Sequence, residues 1–199
     1  MVTYEPCAYE MIPQPKAPKK KNYVLHLASL EPHKRTEQLV RWWISGGEDG
    51  IELPELHLVG TVSKEILEKI NNHFNIVKRP FLSDLELQTT YREALALILP
   101  SEIEGFGLPA LEAYFLGTPV CFVKSTSVEE VLSPATRKGG MILEERQSLF
   151  DALNEVMEID EVELAEYAQI LRKEYHSTKI ANHMLKVFEK MKKNKFCRF

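Results

Sequence analysis

Cysteine is scarce. Cys7, Cys121 and Cys197 are odd in number and far apart, so neither a disulfide framework nor a zinc-binding spacing is implied. No apolar run approaches the roughly 18 residues that a membrane span requires. The stretch Met1–Lys21 has no hydrophobic segment of the signal-peptide kind. An excess of positive charge is also missing: 25 basic against 29 acidic residues give a net charge of −4, which argues against a dedicated nucleic-acid binder. No Asp-x-Asp pair appears, so no metal is implied. The turn Ser29-Leu30-Glu31-Pro32-His33 lacks the G-x-G-x-x-G spacing of a dinucleotide-binding dehydrogenase. What remains is 199 residues with 44% hydrophobic and 27% charged side chains, the composition of a globular chain long enough for a real core. The reading is a reduced, cytoplasmic, soluble protein.

Charge is distributed unevenly. Glu144–Glu166 is strongly acidic, whereas the tail from Lys186 is basic. Two solvated helix faces account for this, and the sharper reading is that Lys190–Phe196 touches anionic lipid headgroups at the inner face of a membrane. Residues 1–21 are rich in proline and lysine without helical or strand period, which predicts a linker or incoming arm. From Asn22 to Phe199 the chain reads as one domain.

Within it, short β-rich runs alternate with helical stretches. Strands are expected at Tyr23–Leu27, Leu56–Val59, Ile76–Val77, Leu95–Leu99, Pro119–Val123 and Met141–Leu143. Helices are expected at Thr36–Trp43, closed by Gly46-Gly47, near Lys64–Phe74, from Ser83-Asp84 through Tyr91, and from Leu143 to the end. Ile180, Met184, Val187, Phe188 and Met191 fall on one helical face, a pattern expected to pack on the core. Continuously apolar strands separated by helices mean a parallel sheet covered on both faces, a doubly wound α/β fold of Rossmann type. Ligands bind such sheets beyond the carboxyl ends of the strands, where the strand order reverses. With order 3-2-1-4-5-6 the reversal lies between strands one and four, so the loops Ser29–Arg35 and Pro100–Pro109 frame the expected site.

The second loop carries the chemistry. Pro109 suits the first position of a helix, Gly117 suits its stop, and Pro119 prevents continuation. A helix starting directly after a glycine turn presents free N–H groups and a positive dipole end, which favours a phosphate. Gly105 and Gly107 allow close backbone approach, and Gly107→Val is expected to block that approach while leaving the fold intact. Glu104 precedes the helix and Glu112 lies about one turn inside it. Each can accept two hydroxyl hydrogen bonds from a ribose or sugar diol. A solvent-facing Glu112 and an ordinary glycine loop remain open as plainer readings.

Glu104 and Glu112, with Glu104-Gly105-Phe106-Gly107-Leu108-Pro109, Glu112-Ala113 and Gly117-Thr118-Pro119-Val120 around them, resemble the two-glutamate motif of the retaining glycosyltransferases of family 4 (group 1). Phe81–Leu87, Tyr91-Arg92 and Leu30-Glu31-Pro32-His33-Lys34 support the resemblance, which runs from about Asn22 to Lys190. It implies one Rossmann-like half of a GT-B architecture, the half that binds a nucleotide diphosphate sugar. It further implies that Glu104 contacts the donor sugar near its reacting end and Glu112 binds the nucleotide ribose. Backbone amides around Phe106–Leu108 would hold the diphosphate, and Lys34 would add charge to the leaving group, acting with Glu104 in catalysis. Ser29 would line the donor site. No cofactor is implied beyond the GDP- or UDP-linked substrate, and the Leu30-Glu31-Pro32 loop resembles that of some mannosyltransferases. The chain departs from the family pattern at Ser29 and His33, where arginine is frequent, and in matching only the donor half. An acceptor-binding domain on another segment or a separate chain is therefore expected. A non-catalytic module that binds a nucleotide sugar or a partner is the competing reading, and a GT-B epimerase a more distant one.

Overall fold

The chain is described here by a computed structural model covering residues 19–73 and 75–196. Most of the expected arm, residues 1–18, lies outside the described residues, as do Phe74 and Cys197. In Tyr23–Ala28 (β1) every residue except Leu27 is buried. Tyr23 and Leu25 enter one core while Val24 and Ala28 enter the other. Successive strand side chains point to opposite faces, so a strand covered twice reads as an unbroken apolar run. The remaining strands are Glu55–Gly60 (β2), Ile76–Lys78 (β3), Leu97–Leu99 (β4), Val120–Val123 (β5) and Gly140–Met141 (β6). All pair in parallel in the order β3-β2-β1-β4-β5-β6, as expected from the sequence.

The helices are Thr36–Glu48 (α1), Lys64–Ile70 (α2), Asp84–Glu93 (α3), Leu108–Phe115 (α4), Ser127–Leu132 (α5), Arg146–Met157 (α6), Glu161–Glu174 (α7) and Ser177–Phe196 (α8). One core packs residues of α3, α4, α5 and α7 on the sheet, and the other packs α1, α2 and α6 on the opposite face. Ser83 starts α3 with a complete capping box, its hydroxyl on the Glu86 amide and the Glu86 carboxylate on the Ser83 amide and hydroxyl.

Several expected boundaries move. Gly46 and Gly47 do not close α1, which continues to Glu48 before Gly50 takes a left-handed conformation. Gly46 is there for packing. A Cβ at this position would lie 2.7 Å from the Phe150 ring and 3.0 Å from Leu53, so the missing side chain lets α1 lie against α6. The helix α5 has no counterpart in the sequence reading. Lys21 and Lys20, expected in a free arm, are tied down: the Lys21 amide bonds Glu93 O at 2.8 Å, and the Lys20 ammonium donates to Ala94 O, Gly117 O and Thr118 Oγ1 at 2.7–3.0 Å. In α8 the expected core face is buried at Ile180 and packs partly against the core at Met184. Phe188 and Met191 are more than half exposed.

Among the polar groups buried in this fold is a histidine. His26, in the middle of β1, is 1% exposed and lies 3.0 Å from Ile98 O through Nδ1 and 3.0 Å from Thr36 Oγ1 through Nε2. Burial lowers its pKa to about 4, with Lys34 acting in the same direction. The unfolded imidazole takes up a proton below about pH 6.5, whereas the folded one stays neutral to about pH 4. The unfolded state therefore binds more protons in that window, and stability falls as pH falls. His57 is lowered by burial in the same sense.

Urea unfolding should show ~2–3 kcal/mol lost between pH 6.5 and 4.5, with a smaller loss in His26→Gln. A flat profile over that range would contradict a buried neutral His26. Gly46→Ala gains about 1 kcal/mol of helix propensity but overpacks the α1–α6 contact at ~1–3 kcal/mol. Net destabilisation of about 1 kcal/mol is expected, and a more stable variant would show that the Phe150 ring yields freely.

Candidate functional site

The two loops at the strand-order reversal do meet. After β1 the chain turns through a short 3-10 segment, Pro32–Lys34, to Arg35 in the left-handed region (φ 53°). After β4 it runs through Ser101 to Gly107. Three bonds bridge the loops: Glu102 N–H to His33 O at 2.9 Å, Arg35 Nη2 to Glu102 Oε2 at 2.7 Å, and Lys34 Nζ to Glu104 Oε1 at 2.8 Å. Glu104 keeps only 9% of its side chain exposed and Lys34 keeps 26%. This is a largely desolvated pair, stronger than a surface bridge. The Ser127 hydroxyl, on the unforeseen α5, donates to Glu104 O at 2.8 Å and fixes the loop from behind.

The start of α4 differs in detail from the sequence reading. Leu108 is the first helical residue and Pro109 the second, with Gly107 as the N-cap at φ 82°. Glycine is required there because an L side chain is strained at that φ. A Cβ would also press on Val128 Cγ2 at 3.0 Å. The expectation that Gly107→Val spares the fold is thus corrected: the substitution strains the backbone and collides with α5. Gly105 has open space around its would-be Cβ. Gly107 caps with no side chain, the Ala110 amide returns to Gly107 O at 2.9 Å and Pro109 has no N–H, so the donors this turn can offer a ligand are the amides before Pro109. The Phe106 ring stacks edge-on against Tyr175 at 5.5 Å and anchors this turn to the core. Leu108 is exposed. At the far end Gly117 is left-handed (φ 77°), the expected helix stop.

Glu112 lies on α4, half-buried. Among the described residues no hydrogen bond or ion pair reaches its carboxylate, and burial raises its pKa. Its oxygens are not among the fully buried unpartnered atoms, so they stay open to solvent, and a ligand hydroxyl can take the place of water there. On the other loop, the Ser29 amide donates to Thr36 Oγ1 at 3.2 Å and the Ser29 hydroxyl accepts from Glu31 N. His33 is part-exposed and faces Glu31 at 3.1 Å. A cleft of about 270 Å³ opens beside Ser29, Arg35, Thr36 and Arg41, and an apolar groove of about 1010 Å³ lies between α4, α6 and α7. Glu104, Gly107 and Glu112 line neither.

With this geometry in place, the family model for glycosyl transferases group 1 matches residues 9–174. The chain belongs to that family. An O-antigen chain mannosyltransferase B of Escherichia coli is 31% identical over 120 residues, covering 57% of this chain and 31% of that protein. Two solved structures share the fold. Anabaena Alr3699/HepE in complex with UDP and glucose superposes with a TM-score of 0.68 at 18% identity, over 86% of this chain and 49% of the other. The C-terminal domain of the group 1 family protein LpcC from Francisella tularensis gives a TM-score of 0.61 at 20% identity, over 81% of this chain and 87% of that domain. The chain spans 14–39% of the length of the curated relatives it matches. The fold is accordingly the Rossmann-like half of a GT-B architecture.

The bridge between the loops is testable. Lys34→Met leaves the Glu104 carboxylate nearly buried without its cation and should cost ~2 kcal/mol. The double variant Lys34→Met/Glu104→Gln should recover ~1 kcal/mol of that. Additive losses in urea unfolding would mean that the pair is not coupled.

Proposed function

We propose that this chain is the donor-binding half of a retaining glycosyltransferase, moving a hexose from a nucleotide diphosphate sugar to a saccharide or lipid-linked acceptor. Residues 22–199 would form the nucleotide-sugar domain with its C-terminal helices. One observation carries the reading: a partly buried, unpartnered Glu112 stands on the same short helix whose N-cap, Gly107, offers no side chain to the amides before Pro109. A nucleoside diphosphate answers both needs, with ribose hydroxyls as donors for the carboxylate and phosphate oxygens as acceptors for the helix amides.

The roles follow from the chemistry of departure. The bond between the sugar's anomeric carbon and the diphosphate breaks as the acceptor oxygen bonds the same face of that carbon. The acceptor's proton passes to a leaving-group oxygen. Backbone amides of Phe106, Gly107 and Leu108 and the Lys34 ammonium stabilise the developing negative charge. Glu104 orients the donor sugar. Because Lys34 bonds Glu104 at 2.8 Å, the arriving diphosphate exchanges one anionic partner of the ammonium for another. Ser29 lines the donor site through its backbone rather than as a cation.

The donor is GDP- or UDP-linked. The mannosyltransferase relative favours mannose as the sugar, and the fold neighbour crystallised with UDP and glucose favours a UDP-linked donor. The acceptor site would come from another segment or chain. We place the protein in the cytoplasm, with the basic end of α8 reaching toward a membrane's inner face. Among the described residues no helix is long and apolar enough to cross a membrane. The hydroxyl at Ser29 favours a second reading, a non-catalytic nucleotide-sugar module.

A thermal-shift series with UDP, GDP, ADP and their sugar conjugates tests the donor site. At 100 times the dissociation constant a ligand adds about 2.7 kcal/mol, a rise of roughly 5–10 °C for a domain of this size. The rise should appear with one nucleotide and vanish in Glu112→Ala. No rise with any of them would sink the reading. Supplied with its acceptor domain, the chain should lose product formation in Glu104→Ala while still binding nucleotide; binding without turnover in the unaltered protein would favour the module.

A further inference from the structure

The imidazole of His26 is an unusual occupant of a strand interior, where an apolar side chain fills the same space without desolvating two ring nitrogens. What the imidazole adds is direction. The Ser29 amide can only donate, so Thr36 Oγ1, 3.2 Å away, accepts from it. The Thr36 hydroxyl proton is then available for His26 Nε2 at 3.0 Å. The other nitrogen, Nδ1, faces the Ile98 carbonyl at 3.0 Å, which can only accept. The Ile98 carbonyl therefore fixes the neutral tautomer protonated at Nδ1, and the bare Nε2 accepts from the Thr36 hydroxyl. His26 and Thr36 are 1% and 3% exposed, so no water competes for either.

The chain of bonds joins β4, one residue before its strand ends, to the first residue of the loop that carries Lys34. We propose that His26 is a positioning residue for the donor loop: through Thr36 it holds the Ser29 amide, and with it sets the turn that presents Lys34 to the diphosphate. This rests on the donor-site reading above. Thr36 belongs to the first turn of α1, and its hydroxyl converts a buried ring on β1 into a fixed anchor for a surface loop. A loop held in advance loses less conformational entropy when it closes on a ligand. The low pKa of His26 keeps the anchor in one protonation state throughout the neutral range.

Amide side chains separate the two ring nitrogens. In His26→Gln the amide oxygen can stand where Nε2 stood and accept from Thr36, whereas His26→Asn keeps a donor for Ile98 O and reaches no further. Thr36→Val removes the hydroxyl at constant shape, and Thr36→Ser keeps it. The four variants of the full chain are titrated with UDP and GDP by calorimetry, and exchange of the Ser29 amide is followed by NMR without ligand. His26→Asn and Thr36→Val should each weaken binding roughly tenfold and speed Ser29 exchange by about the same factor, with no further loss when combined. Thr36→Ser and His26→Gln should stay within about threefold of the unaltered chain. If His26→Asn fails to fold, the Thr36 pair decides.

Unchanged affinity and exchange in Thr36→Val would overturn the positioning role. Loss of affinity in Lys34→Met in the same titration would show the donor site intact. If the unaltered chain binds neither diphosphate, the donor reading falls instead, and faster Ser29 exchange in Thr36→Val, restored in Thr36→Ser, still decides whether the anchor exists.

Discussion

Everything at the candidate site depends on the adjacency of β1 and β4. The two strands are neighbours in a parallel sheet, but the crossovers leaving them run to opposite faces: α1 packs in one core and α4 in the other. Loops that leave neighbouring strand ends in opposite directions open a crevice between them. Here the crevice edges are pinned by backbone and charge together, through Glu102 N–H to His33 O, Arg35 to Glu102 and Lys34 to Glu104. The sheet order decides which residues meet, and the ion pairs decide at what distance.

That order was legible because both faces of the sheet are covered. Val24, Leu25, Leu97, Ile98, Val120 and Cys121 are all fully buried, so their runs stand out from the helical stretches without alternation. The turn at Gly107 was legible for a different reason, since a glycine two residues before a proline in the first turn marks where a helix begins. What escaped was whatever depends on a distant partner. Gly46 reads as a helix stop until Phe150 from α6 is seen 2.7 Å from its missing Cβ. The α8 stripe reads as core because periodicity reports an apolar face without saying what covers it. The helix α5 is six residues long, too short for its period to show. Lys20 reads as part of a solvated linker until three carbonyl and hydroxyl oxygens are found around its ammonium.

The site divides the same way. Glu104, Gly107 and Glu112 were marked by their spacing, yet nothing in sequence pairs Lys34 with Glu104, seventy positions away. Ser127 entered only with the structure, as did the pairing of Arg35 with Glu102. Their contribution is to immobilise groups that the motif names, as Ser127 does for the Glu104 carbonyl. His26 belongs to this class too, and its signal in sequence was present: a lone histidine inside an apolar strand invites the question of what satisfies its two nitrogens.

The two motif carboxylates are prepared in opposite ways, which argues for different work. Glu104 is nearly out of water and already neutralised by Lys34, so bringing it close to a diphosphate adds little net repulsion; the pair presents one exchangeable cation and one acceptor. Glu112 has no cation among the described residues and is pushed toward protonation by burial. A carboxylate in that state gains most from neutral hydroxyl donors, which satisfy its oxygens without adding a charge that would have to be buried in turn. A phosphate beside it would be repelled, whereas the amides at the start of α4 attract one. On the donor-site reading the helix would sort a nucleoside diphosphate along its own length, phosphate at its N-terminal end and hydroxyls one turn further in, by the difference between amide donors and a carboxylate acceptor.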